Sequence, residues 1–195
     1  FNLIVHSPGS VSKNIGAMLR GGFGNALKKV TCTIPDMACL DCPLYRICAY
    51  PYLFETPPPD ATSRMPKGLA IPRPFVIEPP IEHKAHYEPG ESITFGLVLI
   101  GKGIEYLPYF VRAFETLGQR GMGASRGKFK LQTVDPVLEN TQQVSEGDQL
   151  TLRFLTPARI VGNGHPVAEI DFPVFFRTLS RRITNLQVFH GAFQE

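Results

Sequence analysis

Every cysteine of this chain lies between residues 32 and 48, at Cys32, Cys39, Cys42 and Cys48, spaced C-x6-C-x2-C-x5-C. A close pair such as Cys39 and Cys42 is the usual chelating unit of a metal site. The outer two cysteines can complete a four-thiolate shell. The spacing predicts a segment that folds around one ion and is added to a core built elsewhere. Structural zinc is the expected occupant. An iron–sulfur cluster is the alternative, because thiolates serve both. Two disulfides or four free thiols are the remaining readings. Disulfide frameworks belong mostly to small, secreted, loop-rich chains, whereas this chain has 195 residues and all its cysteines in one patch.

The rest of the chain must supply the core. Hydrophobic residues make up 43% and charged residues 19%, which is the balance of a globular protein in one or two domains. The longest apolar run, near Ile93–Ile100, is too short to span a bilayer, so no membrane partner is expected. FNLIVHSPGS lacks a basic start and a small-residue cleavage site, so no signal peptide is expected and a reducing, cytoplasmic setting fits.

Net charge is +3, which says little about partners, but its distribution is uneven. Between Gly118 and Lys130 stand Arg120, Arg126, Lys128 and Lys130 with no acidic residue. Local patches of this kind meet a polyanion even on a nearly neutral protein.

Phe1–Val5 reads as a strand. A helix follows, with Val11, Ile15, Leu19, Phe23, Leu27 and Val30 at helical spacing, Ser12 as N-cap, and Lys28 and Lys29 in the last turn. Gly21, Gly22 and Gly24 each cost about 1 kcal/mol relative to Ala in a helix, so a sheet or a ligand is expected to approach closely there. LAIPRPFVIEPP is broken by prolines and reads as an edge strand. Ser92–Ile100 reads as a buried strand, and Glu105–Leu117 as a helix ended by Gly118. Lys128–Val134 alternates Phe129 and Leu131 against Lys128, Lys130 and Gln132, one face apolar and one basic.

The order β-α-(insertion)-β-β-α-loop-β is the ferredoxin-like plan within the α+β class. It assigns residues 1–140 to a first domain, with a cysteine-rich insertion and loop at 31–67. Residues 141–195 then open a second half: a strand at Gln149–Leu155 and a helix at Asp171–Phe189, capped by Asp171 with Pro173 in its first turn. That helix has an apolar stripe of Phe172, Phe175, Phe176, Leu179, Ile183 and Leu186, and carries Arg177, Arg181 and Arg182 elsewhere on its surface.

GQRGMGASRGKFKL is neither a dinucleotide fingerprint nor a Walker A loop: its glycines run G-x-G-x-x-x-G, and Met122 and Phe129 stand where glycine and Ser/Thr are needed. It reads as an arginine-bearing loop with exposed N–H donors, suited to an RNA backbone. LRGGFGNALKKVTC, the four cysteines, PRPFVIEPP, the glycine loop, LRFLTPARI and FFRTLSRRITNL occur in that order. Together they resemble the CRISPR-associated RAMP superfamily, in particular its pre-crRNA-processing endoribonuclease branch. The resemblance implies tandem ferredoxin-like halves, the second continuing beyond Glu195. It also implies binding of CRISPR repeat RNA, partnership with other CRISPR-associated subunits, and metal-independent cleavage leaving a 2′,3′-cyclic phosphate.

Candidate RNA contacts are Arg20, Lys28, Arg120, Arg126, Lys128, Lys130, Arg177, Arg181 and Arg182. Cleavage without metal needs an acid and a base near neutral pH, a role for histidine. His6, closing the first strand, and His190, ending the arginine helix, are the expected candidates; His83, His86 and His165 are expected to be solvated. The expected activity is that of an endoribonuclease; the alternatives are a non-catalytic RNA-binding subunit and a metal-stabilised docking scaffold.

Overall fold

The apolar periodicities become three helices: α1 (Ile15–Thr31), α2 (Leu107–Arg120) and α3 (Phe172–His190). Among the described residues nine short strands accompany them: β1 (Asn2–Val5), β2 (Gly9–Ser10), β3 (Phe75–Glu78), β4 (His86–Tyr87), β5 (Ser92–Thr94), β6 (Gly96–Leu99), β7 (Phe129–Thr133), β8 (Val161–Gly162) and β9 (His165–Pro166). The computed structural model describes residues 1–57, 71–137, 151–156, 158–162, 165–167 and 169–191. The chain is therefore α+β, with antiparallel pairing throughout the described strands.

β1 lies between β5 and β7 and is antiparallel to both. The strand expected at Ser92–Ile100 is interrupted at Phe95: β5 pairs with β1, while β6 pairs with β3. Phe95 itself is buried and packs on Phe1 and Phe114. β3 has β6 as its sheet neighbour, consistent with the edge strand expected in the proline-broken stretch. β7 alternates as its sequence implies, with Phe129 buried and Lys130 exposed.

α1 and α2 pack on each other, and the core between them is aromatic. Phe23 stacks on Phe110 with centroids 4.5 Å apart and planes at 7°, while Phe75 meets both rings edge-on. The N-cap of α1 is Asn14, whose side chain accepts from the Ala17 N–H, and not Ser12, whose hydroxyl accepts from the Asn14 N–H. At two of the three helix glycines the close neighbour is a side chain and not a sheet, and at Gly21 nothing lies within 4 Å. A Cβ on Gly22 would meet the Leu117 side chain of α2 at 2.8 Å, and one on Gly24 would meet the Phe54 ring at 2.5 Å.

α2 runs past Gly118 and ends at Gly121, whose φ of +85° suits glycine. Gly118 is buried inside the helix, where a Cβ would collide with the Phe129 carbonyl oxygen of β7. The periodicity marked Gly118 as a terminator because close packing of a strand leaves no trace in local sequence.

α3 begins as expected, with the Asp171 carboxylate accepting from the Val174 N–H at 2.8 Å. Its expected apolar stripe is largely open: Phe172 is 66% exposed and Phe176 56%, with Leu179 and Ile183 exposed as well. No strand forms at residues 151–155, and positions 149 and 150 lie outside the described residues. Most of the proline-rich loop, at residues 58–66, also lies outside them.

Two glycine variants separate close packing from helix propensity. Gly118→Ala should destabilise the protein by about 1–3 kcal/mol, because the Phe129 backbone has no rotamer through which to yield. Gly21→Ala, where nothing lies within 4 Å, should stabilise it by up to about 1 kcal/mol. Denaturant unfolding of the two variants beside the parent measures both.

Candidate nucleic-acid interface

Arg20 is exposed on α1 and lies over the Phe54 ring, 5.6 Å from its centroid. Arg73 approaches the same ring at 5.1 Å and donates from Nε to the Phe54 carbonyl. Burial, and then the neighbouring Arg20 charge, pull the Arg73 pKa below the ordinary arginine value. Two guanidiniums are thus held on one aromatic ring by cation–π contact. The ring reaches α1 because Gly24 has no side chain.

This pair borders a cleft of about 810 Å³ between the first half of α1, the segment around β3, and α3. Lys13, Arg20, Arg73, Arg181 and Arg182 line it, and among the described residues no Asp or Glu does. The ion pairs described elsewhere, Lys84–Glu91 and Arg112–Glu115, involve none of these five cations. Among the described residues like charges converge here without a carboxylate in the lining, which raises the local positive potential.

Three of the expected RNA contacts, Arg20, Arg181 and Arg182, meet in this cleft. Arg177 lies outside its lining, exposed, with its Nε donating to the Pro173 carbonyl one turn back. Lys28 belongs to the opposite end of α1, 5.5 Å from the Tyr50 ring and beside the cysteines. Lys13, Arg73 and His83 were not anticipated. For Arg73 the available signal was a cation between prolines in an apolar edge strand. His83 was expected in open solvent, yet it reaches the cleft, with Nε2 3.3 Å from the Ser12 carbonyl.

The glycine loop is closed into a turn that uses part of its backbone donors. Met122 N–H is bonded to Gly127, Arg126 N–H to Gly123, Gly121 N–H to Leu117, and Lys128 N–H to the Ser7 hydroxyl. What the loop offers is side-chain charge: Arg120, Arg126, Lys128 and Lys130 are all exposed. Arg126 holds a left-handed φ of +53°, an uncommon conformation for a residue with a side chain. The loop docks on β2 through the Ser125 hydroxyl, which accepts from Ser10 N–H at 2.7 Å. Residues 9–14 therefore connect the loop to the cleft, since Lys13 and Asn14 line the latter.

The candidate histidines do not meet. His6 is exposed at the end of β1, bonded through its backbone N–H to Lys128. His190 is 1% exposed, with Nε2 2.8 Å from the Pro72 carbonyl and Nδ1 3.3 Å from the Tyr52 hydroxyl. The carbonyl requires a proton on Nε2, so Nδ1 accepts from Tyr52. Burial, then the neighbouring Tyr106 and Glu105, push the Tyr52 pKa up to about 12. His190 therefore holds the end of α3 against the body of the protein, with both ring nitrogens engaged.

The four cysteines, all half-buried and none in a disulfide, line one cavity of about 30 Å³ together with Lys28 and Tyr50. Burial, and then the Glu55 charge, raise the Cys39 pKa, while Lys28 opposes them. Among the described residues no group of three or more His, Cys, Asp or Glu side chains is already arranged to hold a metal ion.

An antiparallel α+β domain with a cationic cleft, lined by no acidic side chain among the described residues, is the class that this geometry defines. The family model AF_1859_N, described as an N-terminal domain, matches residues 1–156. The chain belongs to that family, and α3 lies beyond the matched part. No curated protein and no solved structure matches the chain. No helix among the described residues is long and apolar enough to cross a membrane.

Burial pulls the His190 pKa below the ordinary value of about 6.5, against the opposing hydrogen bond to Pro72. Below that value the unfolded chain binds the proton more readily than the folded one. The stability contributed by neutral His190 is thus present above about pH 6.5 and is lost as pH falls through the lower folded pKa. Melting temperatures measured from pH 7.5 down to 5 should fall for the parent, and fall less steeply for His190→Gln.

Proposed function

We propose that this chain is a CRISPR-associated RNA-binding protein of the RAMP type, working in the cytoplasm and gripping the RNA backbone in the cationic cleft. The observation that carries the reading is the convergence of Lys13, Arg20, Arg73, Arg181 and Arg182 without an acidic neighbour among the described residues. Guanidiniums recognise phosphate through paired N–H donors. Phe54, between two of them, holds the guanidiniums in place by cation–π contact. The exposed cations of the glycine loop extend the basic surface along residues 9–14.

The strand path supports the ferredoxin-like element of this reading. β7 beside β1, β1 beside β5, and β6 beside β3 form the pairing order of a split β-α-β sheet when β5 and β6 are taken as one interrupted strand. The motif order resembling RAMP proteins supplies the choice of RNA over other polyanions, and of CRISPR repeat RNA in particular. Binding is favoured over cleavage, because His190 is buried and doubly bonded while His6 lies on another element, outside the cleft lining. The RNA-binding subunit is thus preferred to the endoribonuclease, and both to the docking scaffold.

Incubation with CRISPR repeat RNA in EDTA tests the reading. Tight binding without cleavage is the expected result, whereas a 2′,3′-cyclic phosphate product would establish the endoribonuclease. Arg20→Ala and the double change Arg181→Ala with Arg182→Ala should each weaken binding by about tenfold per arginine, roughly 1.4 kcal/mol. Each should also flatten the salt dependence. Arg112→Ala, which removes an exposed cation paired with Glu115, should change neither. Cleft variants that bind like the parent would refute the proposal.

A further inference from the structure

The cysteine segment has no core to hold it in shape. Between Cys32 and Cys48 the regular structure is a single 3-10 turn, Cys39–Asp41, and Leu40 and Ile47 are 77% and 78% exposed. Apolar burial does not explain why a stretch whose apolar side chains are this open brings four thiols to one place. Yet Cys32, at the C-cap of α1, Cys39 and Cys42 at the two ends of the 3-10 turn, and Cys48, bonded through its N–H to Leu44, all line the same small cavity.

We propose that Cys32, Cys39, Cys42 and Cys48 bind one zinc ion, which serves as the missing core of this segment. A tetrathiolate set is complete without water or a further ligand, so the site is structural and not catalytic. The cavity, at about 30 Å³, suits a single ion; a space of roughly 10–15 Å³ already holds one water. An iron–sulfur cluster on the same four thiolates is the alternative that elemental analysis separates from zinc. Lys28 lines the cavity as well. A zinc ion with four thiolates carries net negative charge, and the Lys28 ammonium stands where it offsets part of it. This gives Lys28 a role that its absence from the cationic cleft leaves open.

Each ligating thiol gives up its proton, so loading releases protons to solvent and weakens at low pH. Because the sulfurs surround the cavity without already forming a closed metal site, loading draws them inward and orders residues 32–48. The inference is independent of the RNA reading: a chain that binds zinc and no RNA, or RNA and no zinc, separates the two.

The test uses the full chain purified without chelators. Elemental analysis should give about one zinc per chain, and chelator competition should show at least about tenfold weaker binding in Cys39→Ser and Cys42→Ser, as for loss of a metal ligand. Zinc should slow amide hydrogen exchange in residues 32–48 while leaving β1 and α2 unchanged. Where a serine variant does not fold, alkylation of the parent answers the question: zinc should protect all four thiols, and a chelator should expose them together. Equal alkylation with and without zinc, disulfide-bonded cysteines, or an iron and sulfide content in place of zinc would each overturn the proposal.

Discussion

The face-to-face stack of Phe23 on Phe110 sets the position of nearly everything that this protein presents to a partner. Such a pair contributes about 0.5–1.5 kcal/mol beyond the area it buries, and it also fixes orientation. With Phe23 turned into the core, α1 cannot rotate, and its two ends acquire fixed duties. The first half delivers Arg20 to the cleft, and the last turn delivers Lys28 to the cysteine cavity. The close approach that allows the stack depends on Gly22, where a side chain would strike Leu117. Gly24 two residues on admits the Phe54 ring on which the arginines converge. Residues that weaken a helix by propensity are here the means by which it carries a binding surface.

Charge is arranged on this scaffold against the tendency of folding. A protein optimised only for stability would place a carboxylate near Arg20 and Arg73. Instead the two are held by an aromatic ring and a backbone carbonyl. α3 adds Arg181 and Arg182 across the cleft and is fastened at its far end by His190, whose carbonyl sits so close to Gly101 that no side chain fits there. The cleft therefore joins the matched family domain to a helix beyond it, and its charge depends on both.

Much of the fold was legible in sequence because it is written in local periodicity. α1, α2 and β7 follow the alternation of apolar residues, and the α3 start follows from Asp171 and Pro173. What local pattern cannot express is what a residue meets from elsewhere in the chain. Gly118 looks like a helix terminator until β7 is seen crossing it. His190 looks available for acid–base work until Tyr52 and Pro72 occupy both ring nitrogens. The loop glycines suggest open donors, whereas the N–H groups of Gly121, Met122, Arg126 and Lys128 are taken up by Leu117, the turn itself and Ser7. Arg73 and Lys13 lie far from Arg181 in sequence, so a cleft shared by all three has no linear signature. The apolar stripe of α3 was read correctly as a stripe, and then found open to solvent in the described structure.

The salt dependence of RNA binding by the unmodified chain tests the central claim most directly. Neutralising phosphates releases counterions, and for single strands the slope of log K against log salt is about −0.7 for each phosphate contacted. If the five cleft cations each take one phosphate, the slope with single-stranded repeat RNA is about −3.5, with the loop cations making it steeper. A slope near zero, or no measurable binding at low salt, would contradict the account.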